Sequence, residues 1–356
     1  YSTYMTKANK KKLLVLLYEL LVHPDGDVRR SAGEIMGQIL ANSGPKYRKE
    51  CPHGEREHGD PPAMMALLSE SVELWEQYIT LCLHPDRKNS TKHALRISNS
   101  LKILCGSLFS CCEEKEAPRL IEPLLRRFFA AEPGERFVLV DALSHVPCRY
   151  LPETQRCALV RRLAALLPDG EVRLQLRVLQ YLHTLQQEFP ALRPEILAAV
   201  QTYEPQEGES RFAIAYLLGC VRGEAPLVID AAAISRLYLS NMKNAVHWTV
   251  KIAQMELLCA QLPAHPETAF HTAMHLSNLL CVSEHLPVRV AAGEQLLAVA
   301  AVLSEDQINE ITIDLLRELE TGQDQIARFI PPYVGRLMCL LSEKELREAV
   351  TRLEEM

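Results

Sequence analysis

The sequence has little glycine for its length, and this scarcity argues against several fold classes. It contains 15 glycines and 21 prolines among 356 residues. β-rich folds and nucleotide-binding α/β folds place glycine in tight turns and phosphate-binding loops. The balance therefore favours helices joined by proline turns. A phosphate-binding glycine loop, a Gly-x-Ser-x-Gly elbow and a His-Glu-x-x-His zinc motif are all absent from the sequence.

The charge and hydropathy of the chain argue against two further classes. Lys plus Arg number 39 and Asp plus Glu number 45, which gives a net charge of −6. No global basic field is therefore present to hold nucleic acid or an anionic membrane. No apolar run approaches the ~18 residues that a transmembrane helix needs. We expect neither a nucleic-acid partner nor a membrane partner.

Cysteine usage indicates a reducing compartment. The chain has 11 cysteines, an odd number, and no Cys-x-x-Cys motif. Several of them lie inside apolar runs with helical spacing, where a free cysteine acts as a small buried hydrophobe. We therefore expect a cytoplasmic protein. Because the chain begins with Tyr1 and ends within a helical pattern over residues 342–356, we also expect it to be a piece of a longer polypeptide.

Internal repetition is the strongest signal in the sequence. Residues 28–36 and 288–296 share five of nine identical positions, and residues 167–173 match residues 23–29. Each copy has a proline turn followed by the start of an apolar-periodic helix, and weaker copies lie between them. After a first long interval, the anchors recur with the ~40-residue period of a helix pair. The anchor residues are Arg29, Lys92, Arg136, Arg173, Arg211, His247, Arg289 and Arg328.

The motifs at residues 24–29, 168–173 and 287–292 resemble those of the HEAT-repeat and armadillo-like α-solenoid superfamily. Over residues 6–341 the resemblance implies an all-α, right-handed α-solenoid of about eight HEAT-like helix pairs. We expect a single such domain over residues 1–356, with a loop insertion at 42–62 and a terminal helix at 342–356. In the first repeat, Asp27 is expected to cap the second helix.

A series of basic and aromatic residues lies in or at the start of the predicted second helices. The resemblance implies that second helices line the concave face of the solenoid, so this ladder is a candidate partner-binding surface. In the alternative interpretation, each arginine bonds the turn of its own or a neighbouring repeat. The ladder comprises Arg29, Arg96, Arg136, Arg173, Arg177, Arg211, Trp248, Lys251, Arg289 and Arg328.

Two groups of possible metal donors occur. Cys51, His53 and His58 lie in the 42–62 insertion, but their spacing is not that of a known four-ligand site. His271 and His275 share one helical face, without the glutamate of a metalloprotease. We expect no metal and no cofactor, and a solvated or partner-contacting loop at 42–62.

A carboxylate–imidazole pair is the remaining chemical candidate. Asp141 and His145 are four residues apart in an apolar run and could do acid–base work. Since no nucleophile is placed beside them, a structural hydrogen bond is the favoured interpretation.

Taken together, these features favour a non-enzymatic scaffold that binds a protein partner, or a neighbouring domain, through the concave face. Two alternatives stay open. One is a HEAT-like nucleic-acid-binding or DNA-repair glycosylase-type protein, and the other is a regulatory module of a catalytic domain outside this chain.

Overall fold

The computed structural model describes residues 7–21, 23, 25–41, 72–73, 75–84, 91–112, 114–168, 170–321, 327 and 329–355. Within these ranges the chain is helical and contains no strand. The prediction of an all-α protein is confirmed. The chain divides into two compact units, one formed by residues 1–166 and 184–199 and the other by residues 167–183 and 200–356.

The first unit is built mainly from the helices of the first half of the chain, to which a helical segment at residues 75–83 also belongs. Helix α2 packs on α1 and α3, while α5 packs on α3 and α4. The helices are α1 (Lys7–Leu20), α2 (Gly26–Ala41), α3 (Thr91–Cys111), α4 (Ala117–Phe129), α5 (Arg136–Leu143), α6 (Glu153–Ala164) and most of α8 (Arg193–Val200). Helix α7 (Val172–Glu188) contributes residues to both units.

The second unit shows the repeat most clearly. It contains α9 (Arg211–Arg222), α10 (Ala231–Met242), α11 (Trp248–Ala260), α12 (Ala269–Val282), α13 (Leu286–Ala300), α14 (Glu305–Thr321), α15 (Pro331–Met338) and α16 (Glu343–Glu355). Consecutive helices pair as α10 with α11, α12 with α13 and α14 with α15. Second helices α11, α13 and α15 pack side by side, and first helices α12, α14 and α16 do the same. This two-layer stacking is that of an α-solenoid.

Proline and glycine mark the turns between helices. Short 3₁₀ turns begin with Pro133, Pro190 and Pro266, where the fixed φ of proline suits the first position of a helical turn. Helix α9 is capped at its C-terminus by Gly223, whose φ of 70° is the left-handed conformation that glycine adopts without strain.

The turn before α2 differs in one detail from the sequence prediction. Asp25, rather than Asp27, has the capping role, because its Oδ1 accepts from the backbone N–H of Asp27 at 2.8 Å. Asp27 instead forms an ion pair with Arg30 at 2.6 Å. A two-residue reach from carboxylate to amide is the Asx-turn geometry.

Candidate functional site

The basic ladder divides into residues that hold turns together and residues that reach the surface. Arg29 donates from Nη1 to the carbonyl of His23 at 2.6 Å, and Arg289 donates from Nε to the carbonyl of Ser283. In both copies the acceptor lies six residues upstream, just after the first helix of the pair. Carbonyls at a helix C-terminus have no intrahelical partner. These two arginines therefore act as clasps between the first helix and the second.

Both clasp residues sit in partly or fully buried surroundings. Arg289 is only 7% exposed, and its guanidinium carbon lies 5.3 Å from the ring centroid of Phe329. Burial lowers the pKa of Arg29, the nearby charge of Arg96 lowers it further, and Asp25 opposes both effects. Arg96 is half-buried in α3. The alternative interpretation, in which ladder arginines bond their own turns, applies at these positions.

Helix α7 makes the same clasp with a different residue. The carbonyl of Leu167, six residues before Arg173, accepts instead from Nε2 of Gln175 at 2.9 Å. Gln175 is 4% exposed. Arg173, whose side chain is 36% exposed, pairs with Glu171 in the turn before the helix, with 2.7 Å between Nε and Oε2. With Gln175 at the turn carbonyl, the Arg173 guanidinium makes an ion pair within the turn in place of the clasp.

Two other exposed cations in this unit are also matched by carboxylates. Arg211, the first residue of α9, pairs with Glu207 in the preceding turn. Lys243 pairs with Glu209 at 2.8 Å between Nζ and Oε1. The starts of the second helices therefore present charges of both signs rather than a purely basic surface. The sequence pattern singled out the arginines but not the glutamates that accompany them.

Arg177 and Trp248 lie close together. The guanidinium carbon of Arg177 is 5.8 Å from the centroid of the Trp248 ring, at the outer limit of a cation–π contact. Trp248 is 9% exposed and follows His247, which caps α11 by accepting from the N–H of Thr249 at 3.3 Å. Burial raises the pKa of Glu256, also on α11, to about 7, and the charge of Arg177 opposes this rise.

Lys251 lies in the interior, so its side chain is not available for the partner binding that the sequence predicted. It is 7% exposed, and burial lowers its pKa while Glu284 opposes that change. The buried ammonium acts on His275, whose pKa falls to about 4 through burial first and Lys251 second. The ring of His275 lies 5.0 Å from that of Tyr238, and its Nε2 lies 3.3 Å from the amide nitrogen of Asn241.

The other ladder positions have simpler surroundings. Arg136 begins α5 and is half-buried, and its buried Nε has no hydrogen-bond partner in the described part of the chain. Arg328 lies outside the described residues. In the first unit the ladder comprises Arg29, Arg96 and Arg136, and the remaining described members belong to the second unit.

The histidine pair of α12 is not arranged as a metal site. His271 is exposed, whereas His275 is half-buried among the groups just described. Across the described ranges, no group of three His, Cys, Asp or Glu side chains is placed to hold a metal ion. Cys51, His53 and His58 lie outside the described residues, as does the whole 42–62 insertion.

Asp141 is neutralised by a residue that sequence spacing did not indicate. Its Oδ2 lies 3.1 Å from Nζ of Lys102 on α3, and Asp141 is 3% exposed. Nδ1 of His145 lies 2.7 Å from the backbone carbonyl of Asp141 and 4.0 Å from the carboxylate. The arrangement is a buried ion pair between α3 and α5 rather than an acid–base dyad.

The ten cysteines in the described ranges are all free thiols. Cys82 and Cys105 are fully buried, and burial raises the pKa of both. Buried, high-pKa thiols are chemically inert. No helix in the described part of the chain is both long and apolar enough to span a membrane.

Comparison with known proteins gives a structural likeness only. No protein-family model and no curated protein matches the chain. An engineered protein of known crystal structure matches with a TM-score of 0.34 and 12% identity, over 98% of this chain and 85% of that one. A designed armadillo repeat protein matches with a TM-score of 0.28 and 14% identity, over 80% of this chain and 99% of that one. The fold assignment rests on the helix contacts of the chain itself.

Proposed function

We propose that this chain is a non-enzymatic scaffold that binds a protein partner, or a neighbouring domain, through the starts of its second helices. The proposal rests on the contacts at the start of α7, where a glutamine and not the arginine bonds the turn. There Gln175 takes the turn carbonyl, and the partly exposed Arg173 pairs with Glu171. Arg211 with Glu207 repeats this exposed pairing one helix pair further along the chain.

A protein surface fits this arrangement better than a nucleic acid does. Exposed ion pairs are weak, worth about 0–1 kcal/mol, so a partner with opposite charges can exchange with them at little cost. Protein interfaces use such mixed charges to fix register and partner choice. A polyanion, in contrast, gains its affinity from unmatched cations that displace counterions. The carboxylates of Glu171, Glu207 and Glu209 would repel it.

The state of the cysteines supports a cytoplasmic location as part of the proposal. Free cysteines persist where glutathione and thioredoxin keep thiols reduced. Cys82, for example, has its Sγ 3.7 Å from the Ser100 hydroxyl in a fully buried site, with no disulfide.

Site-specific photocrosslinking in cells tests the proposed surface. A photoreactive amino acid would replace Arg173, Arg211 or, as the control, Arg317. The Arg317 side chain is 62% exposed and pairs with Asp314 of its own helix α14, which is a first helix of a pair. We expect one protein to be crosslinked from positions 173 and 211 but not from 317.

Charge reversal then measures the contribution of the site. With the crosslinked partner purified, we expect Arg173→Glu combined with Arg211→Glu to weaken binding by about tenfold or more, and Arg317→Glu to leave it within about twofold. Circular dichroism should be the same for all variants. Equal weakening by Arg317→Glu, or a mobility shift with duplex DNA at low salt in place of a protein partner, would contradict the proposal.

A further inference from the structure

The outer face of α1 carries aliphatic side chains that the described part of the chain leaves exposed. Val15 is 59% exposed, Leu16 is 57% exposed and Leu20 is 41% exposed. The opposite face of the same helix is buried through Leu14, Leu17 and Leu21, each at 4% or less. Single exposed aliphatic residues are common on protein surfaces, but three on one turn and a half of helix form a patch.

Two charged residues flank Val15 and Leu16 in a regular order. Lys12, Val15, Leu16 and Glu19 occupy positions i, i+3, i+4 and i+7, so all four share one face of the helix. Lys12 and Glu19 are both exposed. The order along the helix is a cation, two aliphatic residues and an anion. In an antiparallel pair of such helices, each cation therefore lies opposite an anion.

We infer that α1 forms the contact of a symmetric homodimer, in which it packs antiparallel against α1 of a second copy of the chain. With the two-fold axis between Val15 and Leu16, each valine meets the leucine of the other copy. Each Lys12 then meets the other copy's Glu19, so the two ion pairs are equivalent. Such an isologous contact is the commonest symmetry of soluble oligomers.

The charges favour a second copy over an anionic membrane. Lysines at 7, 10, 11 and 12 begin the helix, as in many surface-binding amphipathic helices. The carboxylate of Glu19, however, lies on the same helix face as Val15 and Leu16, where an anionic lipid surface would repel it. In the antiparallel pair the same carboxylate has a cation opposite.

The small size of the patch predicts a weak dimer. A stable interface buries roughly 800 Å² on each partner, which is more than one helix face supplies. We therefore expect a dissociation constant of about 10 μM to 1 mM. Sedimentation velocity over a concentration series that spans this range should show a monomer–dimer equilibrium. A chain that stays monomeric throughout would overturn the inference.

A matched pair of substitutions tests the place of the contact. Leu16→Asp should abolish dimerisation within the same concentration range. Leu239→Asp makes the same change at a leucine that is 70% exposed on α10, and should leave the dissociation constant unchanged. Both positions are exposed, so neither change should prevent folding. Equal loss from both variants would show that the association is not specific to α1.

Charge reversal tests the antiparallel register itself. Lys12→Glu places two carboxylates opposite each other at both ends of the contact, and Glu19→Lys places two ammonium groups there. Each variant alone should dimerise about tenfold more weakly than the original chain. An equimolar mixture of the two should form a heterodimer, because every reversed residue then meets its opposite. Failure of the mixture to associate, or binding of the original monomer to anionic vesicles in its place, would refute the proposed pairing.

Discussion

The close packing of α2 on α3 at Gly37 gives a quantitative prediction for the addition of a single methyl group. A Cβ added to Gly37 would lie 2.6 Å from the Ser107 side chain and 2.8 Å from the backbone nitrogen of Leu108. Ser107 cannot rotate away freely, since its hydroxyl donates to the carbonyl of Glu34 at 2.7 Å. The backbone of α3 would have to move, and that movement would disturb the packing along the whole pair.

The change Gly37→Ala therefore has two opposing effects on the free energy of unfolding. Alanine is better than glycine in a helix interior by about 1 kcal/mol. Overpacking costs about 1–3 kcal/mol, and loss of the serine hydrogen bond costs about 1 kcal/mol more. We expect a net loss of about 1–3 kcal/mol, because the clash involves backbone atoms rather than the end of a flexible side chain.

Gly106→Ala on α3 is the matched control. Nothing lies within 4 Å of the position that a Cβ would take on Gly106, so only the helix-propensity gain remains. We expect Gly106→Ala to raise the free energy of unfolding by about 1 kcal/mol, which separates the two variants by about 2–4 kcal/mol. Urea denaturation followed by circular dichroism measures both. If Gly37→Ala stabilises the chain as Gly106→Ala does, α2 and α3 are not in the contact described.

Three further predictions concern buried polar groups. Folding lowers the pKa of His275 from 6.5 to about 4, so the unfolded chain binds the extra proton between these two pH values. The free energy of unfolding should therefore be highest above pH 6.5 and fall by up to about 3 kcal/mol as the pH drops towards 4. His275→Gln should remove this pH dependence in urea denaturation. Arg222 donates to the carbonyls of Val200 and Tyr203 at 2.9 and 2.8 Å, so Arg222→Ala should lower stability by about 1–3 kcal/mol and speed hydrogen exchange in α8. Lys102→Met leaves the Asp141 carboxylate buried without its cation and should cost about 3–5 kcal/mol, much of which the second change Asp141→Leu should recover in thermal denaturation.

The helix pairs were predictable because their signals are local. Arg136 and Arg211 begin α5 and α9, and His247 caps α11, as the repeat anchors predict. A proline turn followed by an apolar period specifies a helix start from a few neighbouring residues. Stacked pairs of similar length then leave little choice of architecture.

The partners of the site residues were not predictable, because they depend on contacts between distant positions. Lys102 meets Asp141 across two helices, and no spacing in the sequence marks that pair. Lys251 carries the charge of a surface residue but is 7% exposed, since α11 is packed on several sides. Even the nearby choice between Asp25 and Asp27 depends on backbone angles that the residue types alone do not fix.

The ladder shows why a repeated arginine is a poor guide to function by itself. Arg29 and Arg289 lie far apart in the chain, yet each clasps a carbonyl six residues upstream, because the same local motif produces the same turn. The repetition of the motif is thus explained by folding alone, and no partner is needed to account for it. Arg173 has the same position in its repeat, but Gln175 makes its clasp. Arg173 pairs with Glu171 instead, so the same anchor position makes different contacts in different repeats, and the repeats that depart from the clasp are where partner contacts should be sought first.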